Sequence, residues 1–185
     1  MKFIYLLEPV LQQMRISKVE RFIKKGKVLV DIGCDDPPVL LEKMKQHMSK
    51  CIGIDIAVKS KSYENVEILQ QNLEKKIGLP SNSADTIVML AVLEHMEFPK
   101  EMVQECFRIL RKNGVLLVTV PSQSGAPVLD LFSFFRLVRP EMIKQHHNYF
   151  SKKDLLEMCK AAGFSNIKVE SFEFGCNTFM QAVKS

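Results

Sequence analysis

The chain has 185 residues, of which 46% are hydrophobic and 25% are charged, and its formal net charge is +5. This composition excludes a disordered chain and supplies enough apolar surface for one sizeable core, so we expect a single domain over residues 1–185. The basic residues are spread along the chain instead of being gathered into one run, which disfavours nucleic acid as a partner.

The five cysteines are odd in number, and none of them lies at the short spacing of zinc or redox motifs. We therefore expect reduced thiols, no metal site and a cytoplasmic location. No apolar run is long enough to span a bilayer, and the apolar stretch near Met1 is too short for a signal peptide. Neither membrane insertion nor export is predicted.

The first part of the chain is predicted to be a helix, followed by strands that alternate with helices. Residues 1–26 are predicted to form an amphipathic helical lead-in that packs on the sheet or shields a ligand site. From Lys27 onward, short β-branched runs alternate with helical segments, which is typical of a parallel sheet with crossover helices. The predicted strands cover 27–32, 51–56, 66–70, 85–91 and 114–120, and the predicted helices between them cover 38–48 and 100–112, the second ending at Asn113-Gly114.

The C-terminal part is predicted to close the sheet. Residues 121–150 form an apolar and aromatic insertion that we expect to act as a substrate lid. A helix follows, with Ser151 as its N-cap and Gly163 as its stop. The segments 167–174 and 178–184 are separated by a short Gly-Cys-Asn turn, which predicts an antiparallel hairpin.

The loop after the first strand is the first place to search for a ligand site, because ligands of open α/β sheets bind beyond the carboxyl ends of the strands. Gly33 permits a tight turn and close approach of a ligand, and Asp31 places a carboxylate at the strand tip. Asp36 is predicted to cap the next helix, which would begin with two prolines. Asp55 ends the second strand, where a carboxylate can accept both hydroxyls of a ribose.

Six segments, in order, resemble the motifs of small class I S-adenosylmethionine-dependent methyltransferases: VDIGC, GIDIA, ILQQNL, SADTIVMLAVLEHM, GVLLVTVPS and HHNYFSKKDLLEMCKAAGF. The resemblance covers about residues 15–185. It implies an α/β, Rossmann-like doubly wound fold whose mostly parallel seven-stranded sheet has the order 3-2-1-4-5-7-6. It also implies S-adenosylmethionine as cofactor, S-adenosylhomocysteine as product and a small-molecule acceptor.

The resemblance also implies a set of site residues. Asp31 would lie by the methionine moiety, Asp55 on the ribose and Asn72 beside the adenine. His95 would face the acceptor pocket, and it is our first candidate for a general base because its ordinary pKa lies near neutrality; His146 is the second. The cofactor residues implied in this way are Asp31, Gly33, Cys34, Asp35, Asp55, Ile56, Asn72, Leu73, Leu90 and Ala91.

The glycine-rich loop departs from the family pattern, and this leaves alternatives open. Asp35 and Pro37 stand where the family has its second and third glycines, and Asn72 replaces an acid. One alternative is a catalytically silent relative that binds a ligand or partner on the same scaffold. A nicotinamide-dependent oxidoreductase also has an acid after its second strand, but its fingerprint requires glycines where Asp35 and Pro38 stand. The sequence leaves the acceptor and the oligomeric state open.

A second motif comparison concerns the tetrapeptide DPPV, residues 36–39. It is similar to the Asp-Pro-Pro-Tyr motif of enzymes that methylate exocyclic amines of nucleic-acid bases. In those enzymes the motif follows the fourth strand, where this chain has LAVLEHM instead. Amine methylation of DNA is therefore disfavoured.

Overall fold

The computed structural model describes residues 8–73, 76–122 and 148–185. Helices and strands alternate through most of the chain, as the sequence predicts. The helices are α1 (Glu8–Glu20), α2 (Val39–Met44), α3 (Pro99–Ile109) and α4 (Lys152–Ala162). The strands are β1 (Val28–Ile32), β2 (Lys50–Asp55), β3 (Lys61–Tyr63), β4 (Val66–Gln70), β5 (Ala84–Leu90), β6 (Leu110–Pro121), β7 (Ser165–Phe172) and β8 (Asn177–Val183).

Within the described residues, the strands form one 8-stranded sheet in the order β3-β4-β2-β1-β5-β6-β8-β7. The central strands are parallel, and β8 runs antiparallel to both β6 and β7. This confirms the doubly wound α/β class, the order of the seven predicted strands and the closing hairpin. The prediction missed β3, which pairs antiparallel with β4 at the sheet edge, because its mostly exposed Lys-Ser-Tyr sequence has no apolar alternation.

The sheet is covered on both faces, which explains why its central strands are apolar along their whole length. In β1, Val30 and Ile32 belong to a core shared with α3 and α4, whereas Leu29 points to the opposite core, shared with α1 and α2. Successive side chains of a strand alternate between faces, so a strand buried on both sides needs apolar residues at nearly every position. The site residues therefore appear only where the strands end.

Helix α3 ends earlier than predicted. It stops at Ile109, and β6 begins at Leu110. Asn113 does adopt a left-handed φ of 62°, but it lies inside the exposed start of β6 and not at the helix end. The carbonyls at the end of the helix are satisfied from elsewhere: Lys184 Nζ donates to the carbonyl oxygens of Phe107 and Leu110, each at 2.7 Å. The prediction failed because this partner is distant in sequence.

Helix α4 has the predicted ends. Ser151 Oγ accepts a hydrogen bond from Asp154 N at 3.2 Å, and the Asp154 carboxylate accepts one from Ser151 N at 2.8 Å, which forms a capping box. Gly163 follows the helix with a left-handed φ of 98°. Both caps are local signals, and the prediction is confirmed.

The predicted cap of α2 is wrong. The helix begins at Val39 after Pro38 and has no side-chain cap, and a short 3-10 turn, Lys45–His47, replaces its predicted last turn. Asp36 lies too far before the helix to cap it. Its carboxylate instead forms an ion pair with Lys61 at 3.1 Å.

Helix α1 lies within the predicted lead-in and packs on the sheet. Ile16 and Val19 are fully buried, and Phe22, just after the helix, stacks on Phe179 of β8 at 5.3 Å between ring centroids. An ion pair of 2.7 Å joins Lys18 to Glu170 of β7. Among the described helices, none is both long and apolar enough to cross a membrane.

Candidate functional site

A cavity of about 830 Å³ opens at the carboxyl ends of the central strands. The chain passes from β1 to β2 on one side of the sheet and later returns to β5 on the other side, so the cavity lies at the topological switch point. Most of the predicted cofactor residues line it: Gly33, Asp35, Asp55, Ile56, Asn72, Leu73, Leu90 and Ala91. The other two, Asp31 and Cys34, border an adjoining cleft of about 40 Å³.

Gly33 is required by packing as well as by backbone conformation. Its φ is +76°, and a Cβ placed there would lie 2.3 Å from Val92 Cγ2. Its N–H donates to the carbonyl oxygen of Ile54 at 2.7 Å, which ties the loop after β1 to the neighbouring strand β2. The absence of a side chain lets the segment after β5 approach the loop and form one wall of the cavity.

Asp35 keeps the backbone conformation that a glycine would have at this position. Its φ is +58°, in the left-handed region that aspartate tolerates better than most residues. Its N–H donates to Asp55 Oδ2 at 3.3 Å, and Asp55 Oδ1 accepts from Ala57 N at 2.8 Å. Asp55 therefore orients the loop, and its carboxylate retains further lone pairs for a ligand. The non-glycine residue has not disrupted the turn.

Asp31 is a buried carboxylate at the tip of β1. Its exposed fraction is 3%, and it borders the cleft together with Cys34. Burial, reinforced by the charges of Asp35 and Asp55, raises the pKa of Asp31 to about 8. Burial also raises the pKa of the Cys34 thiol to about 12, which disfavours the thiolate form. A cation bound in the cleft would favour the ionised form of Asp31.

Arg15 is a cavity residue that the sequence prediction missed. It comes from α1 and borders both the cavity and the cleft. Its Nε is buried and has no hydrogen-bond partner among the described residues. The only sequence signal was its place within the amphipathic lead-in, next to Met14 and the buried Ile16. The packing of α1 on the sheet is what brings this positive charge to the site.

Glu94 is the second unusual carboxylate of this region. Its exposed fraction is 1%, and neither carboxylate oxygen has a hydrogen-bond partner within the parts of the chain that the structure describes. Burial raises the pKa of Glu94 to about 8, although the charge of Arg15 lowers it. The Glu94 carbonyl oxygen accepts from Asn148 N at 3.1 Å, and Asn148 Nδ2 donates to the carbonyl oxygen of Met96 at 2.8 Å.

The two histidine candidates have different outcomes. His95 lines the cavity at the end of the short 3-10 turn Leu93–His95, directly after β5. His146 and most of the predicted lid, residues 121–150, lie outside the described residues. The described ends of that segment are adjacent, because Ser122 and Phe150 form an isolated β-bridge. The prediction also missed the lining residues Met96, Glu97 and Asn148.

A family model described as a methyltransferase domain matches residues 9–169. The chain is 39% identical over 61 residues to a probable S-adenosylmethionine-dependent methyltransferase of Mycobacterium tuberculosis, a match that spans 33% of this chain and 22% of that protein. It is 24% identical to a ubiquinone biosynthesis O-methyltransferase of Idiomarina loihiensis, over 80% of this chain and 66% of that protein.

Solved structures share the fold. One is a methyltransferase from Thermotoga maritima described as S-adenosylmethionine-dependent and as a possible histamine N-methyltransferase. Its TM-score is 0.74 and its sequence identity 17%, and the comparison covers 98% of this chain and 92% of that chain. At this identity the likeness concerns the arrangement of the sheet and its helices.

Proposed function

Because the chain belongs to the methyltransferase-domain family of S-adenosylmethionine-dependent enzymes, we propose that it transfers a methyl group to a small or medium-sized acceptor of hydrophobic character. The observation that carries this proposal is the cavity of about 830 Å³ at the switch point, where carboxylates and an arginine border the same space. S-adenosylmethionine is a zwitterionic nucleoside, so its binding requires charges of both signs beside an apolar surface.

The described residues fit this cofactor. Asp55 would accept the ribose hydroxyls, as the acid at the equivalent strand end does in dinucleotide-binding folds. Ile56 is 59% exposed and lines the cavity, so it offers an apolar surface for the adenine ring, with Asn72 next to it. Gly33 would allow close approach of the methionine moiety, and the orphaned Nε of Arg15 is a suitable donor for its carboxylate.

The chemistry makes modest demands on the protein. When bound, the cofactor supplies a methyl group already activated on a sulfonium. The chain's own task is to hold the acceptor in line with that group. His95 lines the cavity and would remove the proton from an acceptor hydroxyl or acidic carbon. The neighbouring Glu94 is buried beneath this part of the site and does not line the cavity, so we assign it no contact with the acceptor.

The hydrophobic character of the acceptor rests on two features. Leu90, Val92 and Met96 give the cavity an apolar wall beyond β5. Residues 128–138, with the sequence VLDLFSFFRLV, belong to the segment that begins where β6 ends. The match to a ubiquinone biosynthesis O-methyltransferase agrees with an acceptor of hydrophobic character.

The first experiment is isothermal titration of the protein with S-adenosylmethionine and, separately, with S-adenosylhomocysteine. We expect dissociation constants on the order of micromolar, about −8 kcal/mol. Absence of binding heat and of thermal stabilisation at millimolar ligand would contradict the proposal and support the silent-scaffold alternative.

The second experiment measures methyl transfer from labelled cofactor to a panel of catechols, phenols and amines with apolar tails. Once an acceptor is found, His95→Ala is expected to lower kcat by about 100-fold or more, with less than a threefold change in cofactor affinity. An equal loss of cofactor binding and turnover would remove the base role from His95.

A further inference from the structure

Asp35 is the feature of the site that differs most from the family pattern, and its position gives it a specific use. It lines both the main cavity and the small cleft. Three carboxylates meet here at the tips of β1 and β2, namely Asp31, Asp35 and Asp55. Of these, Asp31 is buried, and Asp55 uses both of its oxygens to accept backbone N–H groups. Asp35 is the exposed one.

The backbone of Asp35 is left-handed, a conformation that glycine adopts readily. With φ at +58° and its N–H held by Asp55, the loop has the turn that a glycine would form. What the substitution adds is a carboxylate on the wall that both spaces share. A second carboxylate, Asp31, borders the cleft at 3% exposure.

A positively charged side chain borders the same two spaces. Arg15 borders both the cavity and the cleft, and its buried Nε has no described partner. The lining of the cavity and of the cleft therefore includes charged groups of both signs. This arrangement is complementary to an α-amino acid group, whose ammonium donates hydrogen bonds and whose carboxylate accepts them. A sulfonium carries no N–H or O–H, so it makes no comparable hydrogen bond with Asp35.

We propose that the Asp35 carboxylate binds the α-ammonium group of the cofactor's methionine moiety, and so makes this chain selective for adenosine derivatives that carry a free amino acid group. This inference rests on the proposed function. It reverses the expectation from the family pattern: restoring the missing glycine at this position will weaken cofactor binding.

The test compares two ligands that share the adenosine part. S-adenosylhomocysteine has the amino acid group, and methylthioadenosine lacks it. We expect Asp35→Asn and Asp35→Gly each to weaken S-adenosylhomocysteine binding by about 10-fold in isothermal titration, because one charge-assisted hydrogen bond is lost. Methylthioadenosine binding is expected to change by less than about twofold, since it makes no contact that depends on an ammonium.

The neighbouring Asp36 provides a matched control. It carries the same charge one residue away, but it pairs with Lys61 and is absent from the described lining of the cavity and cleft. Asp36→Asn is expected to leave both affinities within about twofold of the wild type. Thermal unfolding of each variant checks that the domain is folded.

The outcomes separate this inference from the proposed function. If Asp35→Gly binds S-adenosylhomocysteine as tightly as the wild type or more tightly, Asp35 does not bind the ammonium and the inference is wrong. An equal loss of affinity for both ligands would show that Asp35 acts through the loop conformation, and this result would also contradict the inference. If the wild type binds neither ligand, the proposed cofactor site itself fails.

Discussion

At the residue scale, Gly33 shows how one position serves the turn and the packing together. Its backbone is left-handed, and the Val92 side chain occupies the space where a Cβ would lie. A left-handed conformation costs a non-glycine residue roughly 1–2 kcal/mol, and a clash with a packed side chain adds roughly 1–3 kcal/mol. The glycine is therefore needed even before a ligand is considered.

We expect Gly33→Ala to lower the free energy of unfolding by about 2–4 kcal/mol, as measured by chemical denaturation. Gly26 is the matched control: its φ is +71°, and a Cβ there would meet nothing within 4 Å. Gly26→Ala should cost only the backbone strain, about 1 kcal/mol. Equal losses for the two variants would show that the Val92 contact does not constrain the loop.

Glu94 links stability to pH. Its folded pKa is about 8 against an ordinary value of 4.5, so the folded state holds this proton more tightly than the unfolded state does. The contribution of protonated Glu94 to the free energy of unfolding is fully present below the unfolded pKa. It is lost as the pH rises from about 4.5 toward 8, by at most about 1.4 kcal/mol per pH unit. The free energy of unfolding also falls with rising pH because of Asp31, between its ordinary pKa of 3.8 and its folded pKa of about 8.

Glu94→Gln removes the charge and keeps the shape. We expect the variant to be more stable than the wild type at about pH 9, and the difference to shrink to less than about 1 kcal/mol near pH 4. Denaturant unfolding across this range measures it. A stability difference that does not change with pH would show that Glu94 titrates normally.

At the element scale, a helix end can be predicted when nearby residues cap it, but not when its hydrogen-bond partners are distant in sequence. Ser151 was predicted as the N-cap of α4, and the capping box that it forms lies within four consecutive residues. At the end of α3, the carbonyl groups of Phe107 and Leu110 accept from Lys184, whose Nζ also donates to Asn82 Oδ1 at 3.0 Å. That lysine lies 77 residues beyond Phe107, one of the carbonyls it binds. No local pattern near α3 reports such a contact.

Lys184→Met tests this role. The substitution keeps the length of the apolar stem but leaves the carbonyl oxygens of Phe107 and Leu110 without their donor. We expect a loss of about 1–3 kcal/mol in the free energy of unfolding. Lys153→Met, at an exposed position of α4, should change it by less than about 0.5 kcal/mol. If both variants are equally stable, water replaces the lysine.

At the scale of the whole molecule, the topology assembles the site. Parallel strands place their carboxyl ends at one edge, so Asp31 and Asp55 meet although they are far apart in sequence. This consequence of the βαβ pattern could be predicted, and it placed the search for a ligand site at the correct loops. The sequence predicted that the N-terminal helix packs on the sheet or shields a ligand site, but it did not predict that this packing brings Arg15 to the cavity.

From the sequence by itself, hydrophobic period and strand-end chemistry indicated the α/β class and the loops that hold the site, because both are local signals. The resemblance of six motifs to a methyltransferase family implied the strand order and most of the residues that line the cavity. Only the tertiary structure decided that Asp35 keeps a glycine-like turn, that Arg15 borders the cavity, and that Glu94 is buried without a described partner. These properties depend on which elements pack together. A residue's burial and partners come from segments distant in the chain, and no local pattern encodes them.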